Sequence, residues 1–95
     1  MDYEDGWMSM GNTGVKALKY ISKTESVLRD LKIVNKIPCI EVKSIIEIID
    51  EAKRYFEDAK YYFERKEYDV SLVSIAYCEG LLDALRMLGL VKFNW

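Results

Sequence analysis

The chain has 95 residues, 51% hydrophobic and 32% charged, with a formal net charge of −2. This length suits one domain with a modest core, and the composition is globular rather than disordered or fibrous. The mild acidity argues against a nucleic-acid-binding protein, and no apolar run is long enough to span a bilayer. The acidic N-terminal stretch also lacks the pattern of a signal peptide, so we expect a cytoplasmic protein.

The N-terminal third is predicted to form an arm followed by one helix. Residues 1–12 show no hydrophobic period, which predicts a loose arm in front of a single helical domain at 13–95. Helix one is predicted over 14–34, because apolar residues recur there at helical spacing. Pro38 restricts the residue before it and has no N–H to donate, so the chain must turn after this helix.

Helix two has the clearest pattern and is predicted over 41–66. Four large apolar residues fall seven apart along it, namely Val42, Ile49, Phe56 and Phe63. Such a stripe is typical of a helix packed in a bundle. The connection to the next helix is so short that helix three must run back antiparallel, with Asp69 as its expected N-cap.

Helix three is predicted over 69–88 and is apolar around almost its whole circumference, so we expect it to be the central and most buried helix. Gly89 is the expected left-handed stop, with Leu85 and Leu90 spaced for the apolar contact of a Schellman motif. The tail 91–95 is too short for a strand of its own and should fold across the bundle end. The predicted fold is therefore all-α, an antiparallel three-helix bundle.

Ala76, Gly80 and Ala84 lie four apart and form a ridge of small residues on helix three. Another helix can approach closely along such a ridge. The favoured interpretation is packing inside the monomer, in which case Gly80→Leu should cost about 1–3 kcal/mol through overpacking. The alternative is that a second subunit or a partner helix docks there.

Glu79, Asp83 and Arg86 are the polar residues of helix three and share one side of it. We expect an exposed strip with an ion pair between Asp83 and Arg86. The alternatives are an acidic recognition notch or one half of a small-ligand or metal site. The chain has no histidine, and Cys39 and Cys78 are far apart, so no zinc site is predicted. The leading interpretation includes no metal and no cofactor.

Helix two also presents an aromatic surface. Tyr61 lies on its outward side with Arg65, and Tyr62 flanks the apolar stripe. Aromatic residues and arginine dominate many interfaces, so these residues are one candidate face for a two-fold dimer, joined by Trp95. Equally, Tyr61 is compatible with a surface ring packed on an arginine stem.

The sequence favours a non-catalytic protein. It has no histidine, no G-x-S-x-G, no phosphate-binding glycine loop and no paired-cysteine motif. The leading hypothesis is a helical interaction module that binds itself or another protein. One alternative is a ligand- or metal-binding bundle that uses Glu79 and Asp83. Another is a weak RNA binder that uses the basic first helix, with Tyr20 and the lysines Lys16, Lys19 and Lys23.

One long run of the sequence resembles a known family. Residues 52–90, AKRYFEDAKYYFERKEYDVSLVSIAYCEGLLDALRMLGL, resemble the DUF357 family of short archaeal proteins. The likeness lies in the alanine and tyrosine pattern of helix two, in the segment from Tyr77 through GLLDA, and in the closing LGL. It implies a small helical protein of unknown function and no known active site. The chain is more distantly similar to HEPN-type domains, but it lacks the histidine that their nucleases use.

Overall fold

Three helices and two short strands make up the fold. The computed structural model describes residues 2–34 and 37–95, and their side chains from residue 11 onward. The elements are α1 (Asp2–Asp30), β1 (Lys32–Ile33), α2 (Val42–Glu64), α3 (Tyr68–Met87) and β2 (Val91–Lys92). The predicted three-helix bundle is confirmed. α1 begins at Asp2 and thus includes most of the predicted arm at 1–12, with a non-helical kink at Gly11 (φ 64°, ψ −170°) that separates two helical stretches. The side chains of residues 1–10 lie outside the described residues.

The end of α1 differs from the sequence prediction. The helix ends at Asp30 rather than at residue 34, because Lys32 and Ile33 leave the helix as β1. They pair antiparallel with β2, with Lys32 opposite Lys92 and Ile33 opposite Val91. The prediction that the tail makes no strand is thus wrong, although the tail does fold back on the bundle. Pairing satisfies backbone groups that would otherwise lack partners at the end of α1.

The core lies where α3 packs against both α1 and α2, so the predicted central position of α3 is confirmed. One buried cluster joins all three helices and comprises Ile21, Val27, Ala52, Phe56, Ala59, Ile75, Cys78 and Leu82. A second cluster, nearer the strands, comprises Ile45, Ile49, Leu85, Leu90 and Val91. In the described helices, no stretch is long and apolar enough to cross a membrane.

The turn between α2 and α3 contains the one non-glycine residue with a positive φ in the described chain, Lys66 at 62°. The N–H of Glu67 donates to the carbonyl of Tyr62 at 2.9 Å, and that of Lys66 to the carbonyl of Phe63 at 3.0 Å. This is a Schellman motif with lysine where glycine is usual. The predicted N-cap is wrong by two residues, because Glu67 takes that place and Asp69 lies in the first turn.

The predicted end of α3 is confirmed. Gly89 has a φ of 76°, and its N–H donates to the carbonyl of Arg86 at 3.0 Å. The N–H of Leu90 donates to the carbonyl of Leu85 at 2.9 Å, and both leucine side chains are buried in the second cluster. These bonds complete a Schellman motif, which turns the chain from α3 directly into β2.

Candidate functional site

One side of α3 is apolar and faces outward along the length of the helix. We call this side the α3 outer face and define it by six exposed residues, Val73, Ala76, Tyr77, Gly80, Ala84 and Met87. The exposed fractions of Val73, Tyr77 and Met87 are 55%, 60% and 82%. Nothing in the described chain covers these side chains, so α3 is not buried on all sides as its composition suggested.

Gly80 lies at the centre of the α3 outer face. Apart from its two chain neighbours and the nearby backbone of α3 itself, a Cβ built on Gly80 would meet no atom within 4 Å. The expected packing of the ridge formed by Ala76, Gly80 and Ala84 inside the monomer is therefore wrong, because all three residues are exposed. For the same reason, the structure offers no neighbouring atom that Gly80→Leu would overpack. Since α3 is apolar on nearly every side, its sequence period could not show which side faces the core.

A shallow groove runs along the α3 outer face and is bordered by Tyr77. Its lining consists of Val73, Ala76, Tyr77, Gly80 and Leu81. The ring of Tyr77 stacks on that of Tyr55 from α2, with ring centres 5.2 Å apart and planes 17° from parallel. This stack holds the exposed ring in one orientation, so the border of the groove is formed in advance of any binding.

Glu79 joins α3 to α1 through polar contacts. Its Oε2 accepts a hydrogen bond from Thr24 Oγ1 at 3.4 Å and lies 3.5 Å from Lys23 Nζ. Thr24 is fully buried, so this carboxylate satisfies a hydroxyl that would otherwise be costly to bury. Glu79 thus has an internal role that its sequence position did not reveal.

Asp83 joins α3 to the C-terminal tail. Its Oδ1 accepts one hydrogen bond from Trp95 Nε1 at 2.7 Å and another from Arg86 Nη2 at 3.1 Å. The expected Asp83–Arg86 pair is therefore present. Trp95 is half-buried and packs edge-on against Phe93, with ring centres 5.0 Å apart. Trp95 thus has partners within the monomer, and its part in the dimer face predicted with Tyr61 and Tyr62 stays a prediction.

Glu79 and Asp83 do not come together with a third metal ligand. Among the described residues there is no group of three or more histidine, cysteine, aspartate or glutamate side chains that could hold a metal ion. Cys78 is buried in the core, whereas Cys39 is exposed. Burial raises the pKa of the Cys78 thiol to about 12, and the neighbouring Glu79 carboxylate adds to the shift.

The basic surface of α1 is partly used within the bundle. Lys23 Nζ lies 4.9 Å from the ring centre of Tyr20 and 5.0 Å from that of Trp95, in addition to its contact with Glu79. Lys16 and Lys19 remain exposed. Of the four residues of the RNA-binding hypothesis, Lys23 thus contacts both Tyr20 and the tail.

Tyr61 is exposed over 54% of its surface, as its outward position predicts. The guanidinium carbon of Arg65 lies 5.4 Å from its ring centre, and the half-buried ring of Tyr62 meets it edge-on at 5.2 Å. Arg65 Nε also donates to Glu67 Oε2 at 2.9 Å. These contacts match a surface ring packed on an arginine side chain, and the role of this surface in binding stays a prediction.

Comparison with protein families adds one finding. Residues 19–91 match the family model described as a protein of unknown function, DUF357. The chain belongs to the DUF357 family. In this DUF357 protein the matched region contains the whole α3 outer face together with Glu79 and Asp83, while Trp95 lies beyond it. No curated protein and no solved structure matches the chain.

Proposed function

We propose that this DUF357 protein is a non-catalytic helical interaction module that docks through the α3 outer face. The observation that carries the proposal is the continuous apolar strip from Val73 to Met87, which is exposed along one side of the central helix. The six side chains present roughly 500 Å² of apolar surface, which is near the upper end for a monomer's largest patch and typical of a binding site.

The glycine at the centre of the strip supports the same function. Glycine inside a helix costs about 1 kcal/mol relative to alanine. Gly80 does not recover this cost in the monomer, because no neighbouring atom requires its small size. A second helix crossing at Gly80 would recover it, since the absent side chain lets two backbones approach closely.

Capture experiments with matched variants test this function. The immobilised chain is exposed to an extract of the organism that encodes it, and retained proteins are identified by mass spectrometry. Gly80→Leu fills the groove at an exposed position, and Val73→Lys places a charge on the strip. Tyr61→Ala alters the aromatic surface of α2 and serves as the matched control.

The proposal predicts specific retention that survives Tyr61→Ala and is lost in both α3 variants. Thermal unfolding of each variant verifies that the fold is intact. If retention is the same for all variants, the α3 outer face has no role in it. Loss in Tyr61→Ala alone would move the interaction to the aromatic surface of α2.

A further inference from the structure

We infer that the occupant of the α3 outer face is a second copy of this chain, bound antiparallel, with a two-fold axis passing beside Gly80. This inference rests on the proposed function of the face and names its partner. It follows from the spacing of the exposed residues, from the helix dipole of α3, and from the area available.

Apart from Tyr77, the residues of the α3 outer face are spaced symmetrically about Gly80. Ala76 and Ala84 lie four residues before and after it, and Val73 and Met87 lie seven before and after. In an antiparallel pair centred on Gly80, each alanine meets the other alanine of the second copy, and each valine meets a methionine. A two-fold interface requires a surface complementary to itself, and this order of residues provides one.

The small central residues favour a close crossing. Gly80 and the two alanines leave room for the backbone of a second helix, while Val73 and Met87 are long enough to meet at either end. Tyr77 flanks the crossing and is already held by its stack on Tyr55. Little side-chain freedom is therefore lost when the second copy binds.

The helix dipole of α3 favours the antiparallel orientation. An antiparallel pair sets the two dipoles in opposite directions, whereas a parallel pair would align them. The charged residues of α3 do not decide the orientation, because Arg86 in the last turn already pairs with Asp83. None of the six residues of the α3 outer face is charged.

The available area matches that of a weak or transient interface. Two copies of the face would bury roughly 1,000 Å² in total, close to the lower limit for a specific interface. We therefore expect a weak dimer that dissociates on dilution. A protein of this kind would be monomeric when dilute and dimeric at the concentrations used for structural work.

Sedimentation equilibrium of the purified chain over a hundredfold concentration range tests the choice of occupant. The mean mass should rise from the monomer value toward twice that value. Gly80→Leu should raise the dissociation constant at least tenfold while far-UV circular dichroism and the thermal midpoint show an intact fold. Tyr61→Ala should leave the dissociation constant unchanged.

Cysteine cross-linking tests the orientation, in a Cys39→Ser background that retains the buried Cys78. Gly80→Cys should form an intermolecular disulfide under mild oxidation, because residues on the axis of a close crossing fall within the 4.4–6.8 Å Cα separation of disulfides. Ala76→Cys should cross-link to Ala84→Cys when the two variants are mixed, and more slowly to itself. Asp58→Cys, exposed on α2, measures the rate of random collision.

Each other outcome overturns part of the inference. A constant monomer mass shows that the occupant is not a second copy, and selective loss of captured proteins in Gly80→Leu would then identify a different protein as the partner. A dimer that persists in Gly80→Leu lies on another face. Faster self-linking of Ala76→Cys than mixed linking shows a parallel pair. Monomer mass together with unselective capture would refute both the inference and the proposed function.

Discussion

Replacing Gly80 by alanine should raise the free energy of unfolding of the monomer by about 0.8–1 kcal/mol. Gly80 lies well inside α3, and a Cβ there would contact nothing within 4 Å. The methyl group therefore adds neither a clash nor a packing contact, and only the helix propensity changes. Alanine is favoured over glycine by about 0.8–1.0 kcal/mol in a helix interior. For a domain of this size, that gain corresponds to a rise of about 4–8 °C in the thermal midpoint.

Thermal and urea unfolding followed by circular dichroism at 222 nm measure this change. The protein must be dilute, because any dimer would add a concentration-dependent contribution to the stability. Ala76→Gly is the matched control on the same exposed face, and it should lose about as much stability as Gly80→Ala gains. The denaturant slope should stay unchanged in both variants, since neither alters the surface exposed on unfolding.

A loss of stability in Gly80→Ala would refute this account. It would show that the folded monomer has an atom close to Gly80, and hence that the ridge of small residues packs internally. Gly80→Leu extends the test, because internal packing predicts a loss of about 1–3 kcal/mol. The exposed position of Gly80 instead predicts that Gly80→Leu changes the free energy of unfolding by less than about 0.5 kcal/mol or raises it slightly.

Three further predictions concern other parts of the fold. Lys66→Gly should raise the free energy of unfolding by about 0.5–1 kcal/mol in urea titrations, because glycine adopts the positive φ of this position without strain. Gly89→Ala should lower the free energy of unfolding by a similar amount or more, because it places a side chain at a positive φ. Trp95→Phe removes the indole N–H that donates to Asp83 on α3, so it should lower the free energy of unfolding by about 1 kcal/mol or more. A change within experimental error would mean that this hydrogen bond does not stabilise the tail. Because burial raises the pKa of Cys78 to about 12, a thiol reagent at pH 8 should label Cys39 at once and Cys78 only after unfolding, as counted by mass spectrometry. The raised pKa of Cys78 also makes the free energy of unfolding depend on pH. Measured relative to Cys78→Ala, this free energy should be constant below pH 9 and should fall as the pH rises toward 12, because only the unfolded state then ionises the thiol.

The sequence was sufficient to predict the three helices and the end of α3. The apolar stripe of α2 has a single period, and it correctly places Ile49 and Phe56 in the core, whereas Val42 at its start is 49% exposed and Phe63 at its end is half-buried. Gly89 marks a helix end because few other residues adopt a positive φ at low cost. By contrast, neither the end of α1 at Asp30 nor the strand β1 could be predicted. The helical spacing of apolar residues continues past Asp30, and the pairing of β1 with residues 91–92 depends on contacts distant in sequence.

The site was harder to predict for two physical reasons. α3 has apolar residues on all sides, so no period distinguishes the side facing the core from the side facing outward. The partners of Glu79 and Asp83 lie on α1 and in the tail, and only the folded chain brings them close. The exposed position of Gly80 could have been suspected only from the cost of glycine inside a helix.

The pairing of β1 with β2 has a consequence for the order of folding. Contacts between α2 and α3 join segments that are neighbours in the chain, so they close short loops and can form early. The pairing of β1 with β2 joins residues 32 and 92, and the loop that it closes contains both α2 and α3. Closing this long loop costs more chain entropy than forming the contacts between α2 and α3. The α2–α3 hairpin should therefore form first, and α1 should dock last, when the tail closes over its end.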